Sequence, residues 1–289
     1  PPPPPPPPPP PTTPPPPTTT PDYIRRQRQM CIRDRLHIEQ NGITCIGCKR
    51  VYPTHANIPQ FAIYKKDKAG LKAVAEISND NYEQRYEDFE KAKNYNLKYD
   101  RKPLKRLSTL REYQILQRLL GGRQHCATML EIPCGGGRIS PQLVNATDML
   151  IQADVGLGQI LYGMTREKLK IPQIWMTASA FHIPLRDSSV DAVVCIRLSH
   201  HLPTYRQRED LLAELLRVAG RYVVMTFFDY HSIKNILRRL RNSKPKLTMT
   251  LSQVSTIAAR YGAKLAACPR LSIIGSGHRY ALLVKTPAL

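Results

Sequence analysis

From residue 126 onward the apolar residues come in short, separated blocks. Met129 and Leu130 lead through Glu131, Ile132 and Pro133 into three successive glycines, Gly135, Gly136 and Gly137. Met149, Leu150 and Ile151 open a second run that closes on Asp154, and a third block over 174–185 ends Phe181-His182-Ile183-Pro184-Leu185. Val190 to Ile196 is almost continuously apolar, as in a parallel strand buried on both faces. Residues 221–229 read as a fifth strand, 251–262 as a helix ending at Gly262, and 264–268 and 280–285 as two closing strands. Strands alternate with helical stretches, so the pattern predicts an α/β fold on a doubly wound, mostly parallel sheet. Before it, Leu104, Leu107, Leu110, Ile115, Leu116, Leu119 and Leu120 have helical spacing that stops at Gly121-Gly122.

The glycine triplet is the first candidate for chemistry. Glycines let the backbone approach a ligand closely, and the N–H groups of the turn and of a helix starting after it supply donors. Asp154 lies about twenty residues further on, where an acid can hold ribose hydroxyls. A glycine turn alone also serves as a structural corner, so the order of the later motifs matters more than the triplet.

That order resembles the class I S-adenosylmethionine-dependent methyltransferases over residues 105–286. The resemblance implies a seven-stranded sheet whose last strand is antiparallel, with S-adenosylmethionine as cofactor. It places Glu131, Gly135 and Gly137 under the methionine part, Asp154 at the ribose, and Ser179 and Ala180, which open the family's "D-A-x-x-L-P-F" pattern, at the adenine. Val190-Asp191-Ala192-Val193 matches "F-D-x-V", and Ser199-His200-His201-Leu202 matches "l-h-H-l". A helix in the position of 104–120 packs across the cofactor site in that family. Three departures bear on affinity. Pro133 replaces a glycine and removes an N–H donor. Ser179 stands where an aspartate is usual, and Glu131 where aspartate is the commoner acid.

Methyl transfer needs alignment more than a base, because the sulfonium is already a reactive donor. His200 and His201 follow the fourth strand at the carboxyl edge, where one of them can act as general base or both can be structural. Arg197, grouped with the cofactor-side residues, can meet an anionic group or close a structural ion pair. A nicotinamide-dependent oxidoreductase would carry a glycine at the position of Ser140. A non-catalytic nucleotide-binding scaffold is the other rival, suggested by Pro133 and Ser179.

Composition adds the acceptor and the setting. The net charge is +21, and from Gly121 onward 22 Lys/Arg face 10 Asp/Glu. The densest run is Lys234, Arg238, Arg239, Arg241, Lys244 and Lys246, with no acid between them. Within it Ile233, Ile236, Leu237 and Leu240 fall on one helical stripe. Such a segment, 233–246, can lie on anionic lipid, follow an RNA backbone, or pack its stripe on the domain with arginines outside. An anionic acceptor, whether RNA, a small metabolite or a lipid head group, is the economical expectation. Sixteen of the 27 prolines fall in the first 21 residues, so 1–35 is expected to be a disordered proline-rich tail without a core, either non-native, since 29–35 resembles translated sequencing-adapter text, or a genuine proline-rich linker or partner ligand. Cys45 and Cys48 in 36–65 resemble half of a zinc-ribbon knuckle that lacks its upstream pair, so a metal-free hairpin is expected there, ahead of a catalytic domain over 80–289. No run of about eighteen apolar residues occurs, and seven cysteines outside a secretory pattern suggest reduced thiols in a cytoplasmic setting.

Overall fold

The computed structural model describes residues 36–39, 42–45, 51–62, 88–166, 168–241 and 247–286. The proline-rich tail, Cys31, Cys48, Lys244 and Lys246 lie outside them. Two sheets are present. The smaller is antiparallel, in the order β1 (Leu36–Glu39), β2 (Gly42–Cys45), β3 (Val51–His55), β4 (Ile58–Pro59). The larger comprises β5 (Cys126–Glu131), β6 (Thr147–Asp154), β7 (Gln173–Thr177), β8 (Val190–Cys195), β9 (Ala219–Phe228), β10 (Ala263–Ala267) and β11 (His278–Lys285). Its order is β10-β11-β9-β8-β5-β6-β7. Strands β5 to β9 are parallel, whereas β11 runs antiparallel between β9 and β10. That inserted strand has no counterpart in the dinucleotide-binding order 3-2-1-4-5-6, which removes the oxidoreductase rival.

Helices cover both faces: α1 (Phe89–Arg101), α2 (Pro103–Gly121), α3 (Leu157–Met164), α4 (Tyr205–Val218), α5 (Ile233–Leu240) and α6 (Leu251–Arg260). One core holds Leu211, Leu212, Leu215 and Leu216 of α4 with Val254, Ile257 and Ala258 of α6 against Val193, Val223 and Met225. The other packs Ile115, Leu116, Leu119 and Leu120 of α2 on Met129, Leu150, Val194 and Val224. The central strands are thus buried on both faces, as their continuous apolar runs require.

The small sheet closes the edge of the large one. Gln60 bridges Thr177 of β7 in parallel register, and the amides of Phe61 and Ala62 both donate to the Thr177 carbonyl, at 2.9 and 3.1 Å. Ile58 is buried against Cys134, Ile160 and Trp175. An otherwise open strand edge is therefore covered, and the residue preceding the three glycines gains an apolar support.

Two expectations are corrected. No α-helix follows the glycine turn. Only nine residues separate Gly137 from β6, and they form two short 3-10 turns, Ser140–Gln142 and Val144–Ala146. Helix α2 starts at Pro103 as its leucines predict, but Leu104, Leu107 and Leu110 are exposed, and only its second half enters the core.

Candidate active site

The glycine turn begins at the end of β5. The Cys134 amide donates to the Ala153 carbonyl at 2.8 Å, tying the turn to β6. Gly135 (φ +54) and Gly137 (φ +70) occupy the left-handed region, which side chains disfavour. Gly136 is required by space, because a Cβ there would lie 2.5 Å from Asn96 Nδ2 and 2.6 Å from the Tyr162 ring. Asn96 comes from α1, where it donates to Ala92 O and to Gln159 Oε1. Helix α1 thus lies over the turn.

The structure brings Asp154 to the same place. Its Oδ2 accepts from the Gly135 amide at 2.8 Å and its Oδ1 from the Gly156 amide at 2.9 Å, while the residue is 5% exposed. Burial pushes the carboxyl up to about 6 against these backbone donors. Glu131, one strand away, accepts from Ser140 Oγ at 2.6 Å, and Gln152 Nε2 donates to that hydroxyl at 2.8 Å. Burial, with the Asp154 charge adding, raises Glu131 to about 8, although Ser140 and Arg138 pull it down. Gln152 Oε1 is buried with no partner among the described residues.

Beyond β7, Ser179 Oγ accepts from the Phe181 amide at 3.3 Å, and Ala180 is buried beside it. The loop 181–185 is held by two α4 residues. Glu214 Oε1 accepts from the Ile183 amide at 2.8 Å, and Arg217 donates to the carbonyls of Ile183 and Leu185 and to Glu214 and Asp187. Neither residue stood out in the sequence. Pro133 follows Ile132 through a cis peptide bond.

Arg197 has φ +65, and its side chain is turned to Glu112 of α2, with Nε 2.8 Å and Nη2 2.7 Å from Oε1. The structural ion pair is therefore the arrangement present. Glu112 also pairs with Arg138 and accepts from the Tyr280 hydroxyl at 2.7 Å. Its side chain is 1% exposed, yet the two arginines and Tyr280 outweigh burial and lower its pKa. Both guanidinium groups also face the Tyr99 ring of α1, at 4.7 and 5.6 Å.

The histidines divide. His200 is half-buried, its ring 4.6 Å from Phe228 and 4.9 Å from His278, whereas His201 is exposed and 4.1 Å from His200. His278 is a residue the sequence did not flag. Antiparallel β11 starts at the edge where the parallel strands end, and His278 pairs there with Phe228. Burial and the nearby Arg197 hold it neutral, down to about 3.

Helix α5 leaves the same edge after β9. Its apolar stripe faces outward: Ile233, Ile236, Leu237 and Leu240 are exposed, Ile236 by 38% and Leu240 by 76%. The inward residues are polar, Ser232 at the N-cap and Asn235, whose Nδ2 donates to Asp229 O at 2.8 Å. Among the described residues, then, none of the four stripe side chains is buried, and Leu240 is the most open of them.

The parallel sheet with one inserted antiparallel strand, the glycine turn and the acid ending β6 define a class I methyltransferase fold. Residues 130–223 match the family described as "Methyltransferase domain". Among solved structures, magnesium protoporphyrin IX methyltransferase from Synechocystis PCC 6803 with bound S-adenosylhomocysteine aligns with TM-score 0.60 at 14% identity, covering 72% of this chain and all of that one. The N-methyltransferase NodS from Bradyrhizobium japonicum WM9, also with S-adenosylhomocysteine, aligns with TM-score 0.52 at 15% identity over 66% of this chain and 91% of its own. No curated protein matches. The family match over residues 130–223 and the strand order together mark this part of the chain as a methyltransferase domain of the class I fold. Among the described residues no helix is long and apolar enough to cross a membrane.

Proposed function

We propose that this enzyme moves a methyl group from S-adenosylmethionine to an anionic acceptor in a cytoplasmic setting. The observation that carries the cofactor assignment is the pair of buried carboxyls flanking the glycine turn. Asp154 and Glu131 both have raised pKa values because burial is not balanced by enough positive charge. A ligand with a cationic methionine end and a ribose diol fits that deficit, and the unpartnered Gln152 Oε1 offers it another acceptor. Asp154 accepts from the backbone amides of Gly135, Gly156 and Val155, which fixes the carboxylate at the end of β6 where its remaining acceptor capacity can meet a ribose hydroxyl.

The bound cofactor supplies an electrophilic methyl, so this chain's residues have to bind, orient and exclude water. Gly135 and Gly137 let the backbone lie against the methionine part, and Asn96 and Tyr162 roof the turn. Ser179, Ala180 and the loop held by Glu214 and Arg217 shape the adenine side, while Pro133 stiffens the turn. Arg197 acts through Glu112 as a positioning residue. His201, exposed beside His200, is the imidazole placed to take a proton from the acceptor. The four free cysteines among the described residues, Cys126, Cys134, Cys195 and Cys268, support a reducing environment.

The basic α5 edge supports the anionic acceptor. Transfer of labelled methyl from the cofactor into a cell extract, fractionated into RNA, lipid and small metabolites, tests this. Label in an anionic fraction, lost on charge reversal of Arg238 and Arg239, is expected. Label confined to uncharged acceptors contradicts it.

A further inference from the structure

Helix α5 is mounted inside out. At about 100° per residue, Ile233, Ile236, Leu237 and Leu240 share one side while Asn235 lies on the far side, and Ser232 caps the helix N-terminus. It is the polar side that is buried. Asn235 also fits tightly against Gly277, where a Cβ would come within 2.8 Å of its Nδ2. The helix is further tied to the 272–277 loop by Lys234 Nζ, which donates to Gly275 O at 2.9 Å. That loop exposes two more aliphatic side chains, Ile273 by 67% and Ile274 by 68%. Arg239 is held in place by the Tyr230 carbonyl at 2.9 Å and lies 4.0 Å over the Tyr230 ring, which is itself exposed. Aliphatic side chains from a helix and a neighbouring loop thus stand exposed at one edge, on elements bearing Lys234, Arg238, Arg239 and Arg241, and no acid occurs in 230–246.

We propose that α5 and the Ile273–Ile274 tip form a docking surface for an anionic lipid bilayer. Cations flanking an exposed aliphatic stripe match the boundary between anionic head groups and acyl chains. RNA would be met by the arginines alone. It gives no reason to keep six aliphatic side chains in water, and base recognition would use aromatic platforms or polar edges instead. The surface lies at the carboxyl edge of the sheet, so docking would turn that edge toward the bilayer. The inference goes beyond the acceptor reading, because binding can be measured without methyl transfer.

Flotation of the full chain with vesicles of phosphatidylcholine alone, or mixed with phosphatidylglycerol, tests it. Binding to the mixed vesicles is expected, with little to phosphatidylcholine. Ile236→Ser/Leu240→Ser and, separately, Arg239→Glu/Arg241→Glu should each weaken it roughly tenfold or more, with far-UV circular dichroism and S-adenosylhomocysteine binding unchanged. No binding to anionic vesicles overturns the proposal, as does binding that ignores the aliphatic changes. Binding to a mixed-sequence RNA that falls with the arginine changes and not with the serine changes, without vesicle binding, would assign the surface to nucleic acid and also overturn it.

Discussion

Strand β9 is entered from one amphipathic helix and left through another, and the two face opposite ways. Helix α4 turns Leu211, Leu212, Leu215 and Leu216 into the core and keeps Arg206 outside, paired with Asp210. Helix α5 also has helically spaced apolar residues but buries Ser232 and Asn235 and leaves its aliphatic stripe exposed. Periodicity therefore identifies a face without saying what covers it. The tertiary anchors decide: α4 follows a capping box at Thr204 and packs against α6 and the sheet, whereas α5 is pinned by side-chain bonds from its polar side to Asp229 O and Gly275 O.

The contrast can be broken by mutation. Leu215→Ala in α4 should destabilise the fold by about 3 kcal/mol, since a fully buried leucine is lost together with its packing. Urea denaturation measures it, and a loss below about 1 kcal/mol would mean that α4 is not core. Asn235→Ala should cost about 1 kcal/mol by removing the shorter of the two hydrogen bonds to the Asp229 carbonyl, the other coming from the Ser232 amide. An unchanged midpoint would show that the polar side is not what holds α5. By contrast, Leu240→Ser should change stability by no more than about 0.5 kcal/mol. A large loss would place that leucine against protein.

Proton linkage separates the same two ends of the carboxyl edge. Glu131 rises from 4.5 unfolded to about 8 folded, so the folded chain holds the proton more tightly. The stability it contributes is present at low pH and lost as pH climbs toward 8. His278 acts oppositely, costing stability as pH falls below 6.5, so the Glu131 effect is cleanest between pH 6.5 and 8. Thermal melts of the cofactor-free protein should fall across that window, and Glu131→Gln should flatten the slope. A flat wild-type curve would contradict the buried, uncompensated carboxyl.

The sequence was most readable where burial is total. The apolar runs at 129–130, 149–151, 190–196 and 221–229 fall in or at the ends of β5, β6, β8 and β9, four of the five parallel strands, because the middle of a strand covered on both faces is mostly apolar. The pairing of the glycine turn with Asp154 was also foreseen, since both end adjacent strands. Helix α1 was not. Its tyrosines, lysines and asparagines carry no apolar stripe, and its position depends on the Asp88 cap and on Asn96 meeting Gly136. Glu112 was hidden in a leucine-rich helix, its value set by two arginines distant in sequence. His278 reached the edge only through the reversal of β11, which no local spacing announces. The missing helix after the turn follows from length, as Pro141 and so few residues before β6 leave room only for tight turns.

The claim on which the rest depends is that Asp154 and the glycine turn hold the adenosyl part of the cofactor. Isothermal titration of S-adenosylhomocysteine into wild type and Asp154→Ala tests it most directly. The account predicts measurable binding that weakens by about 2 kcal/mol in the variant, while the fold is retained. No heat of binding in the wild type, or equal affinity in both proteins, would contradict it.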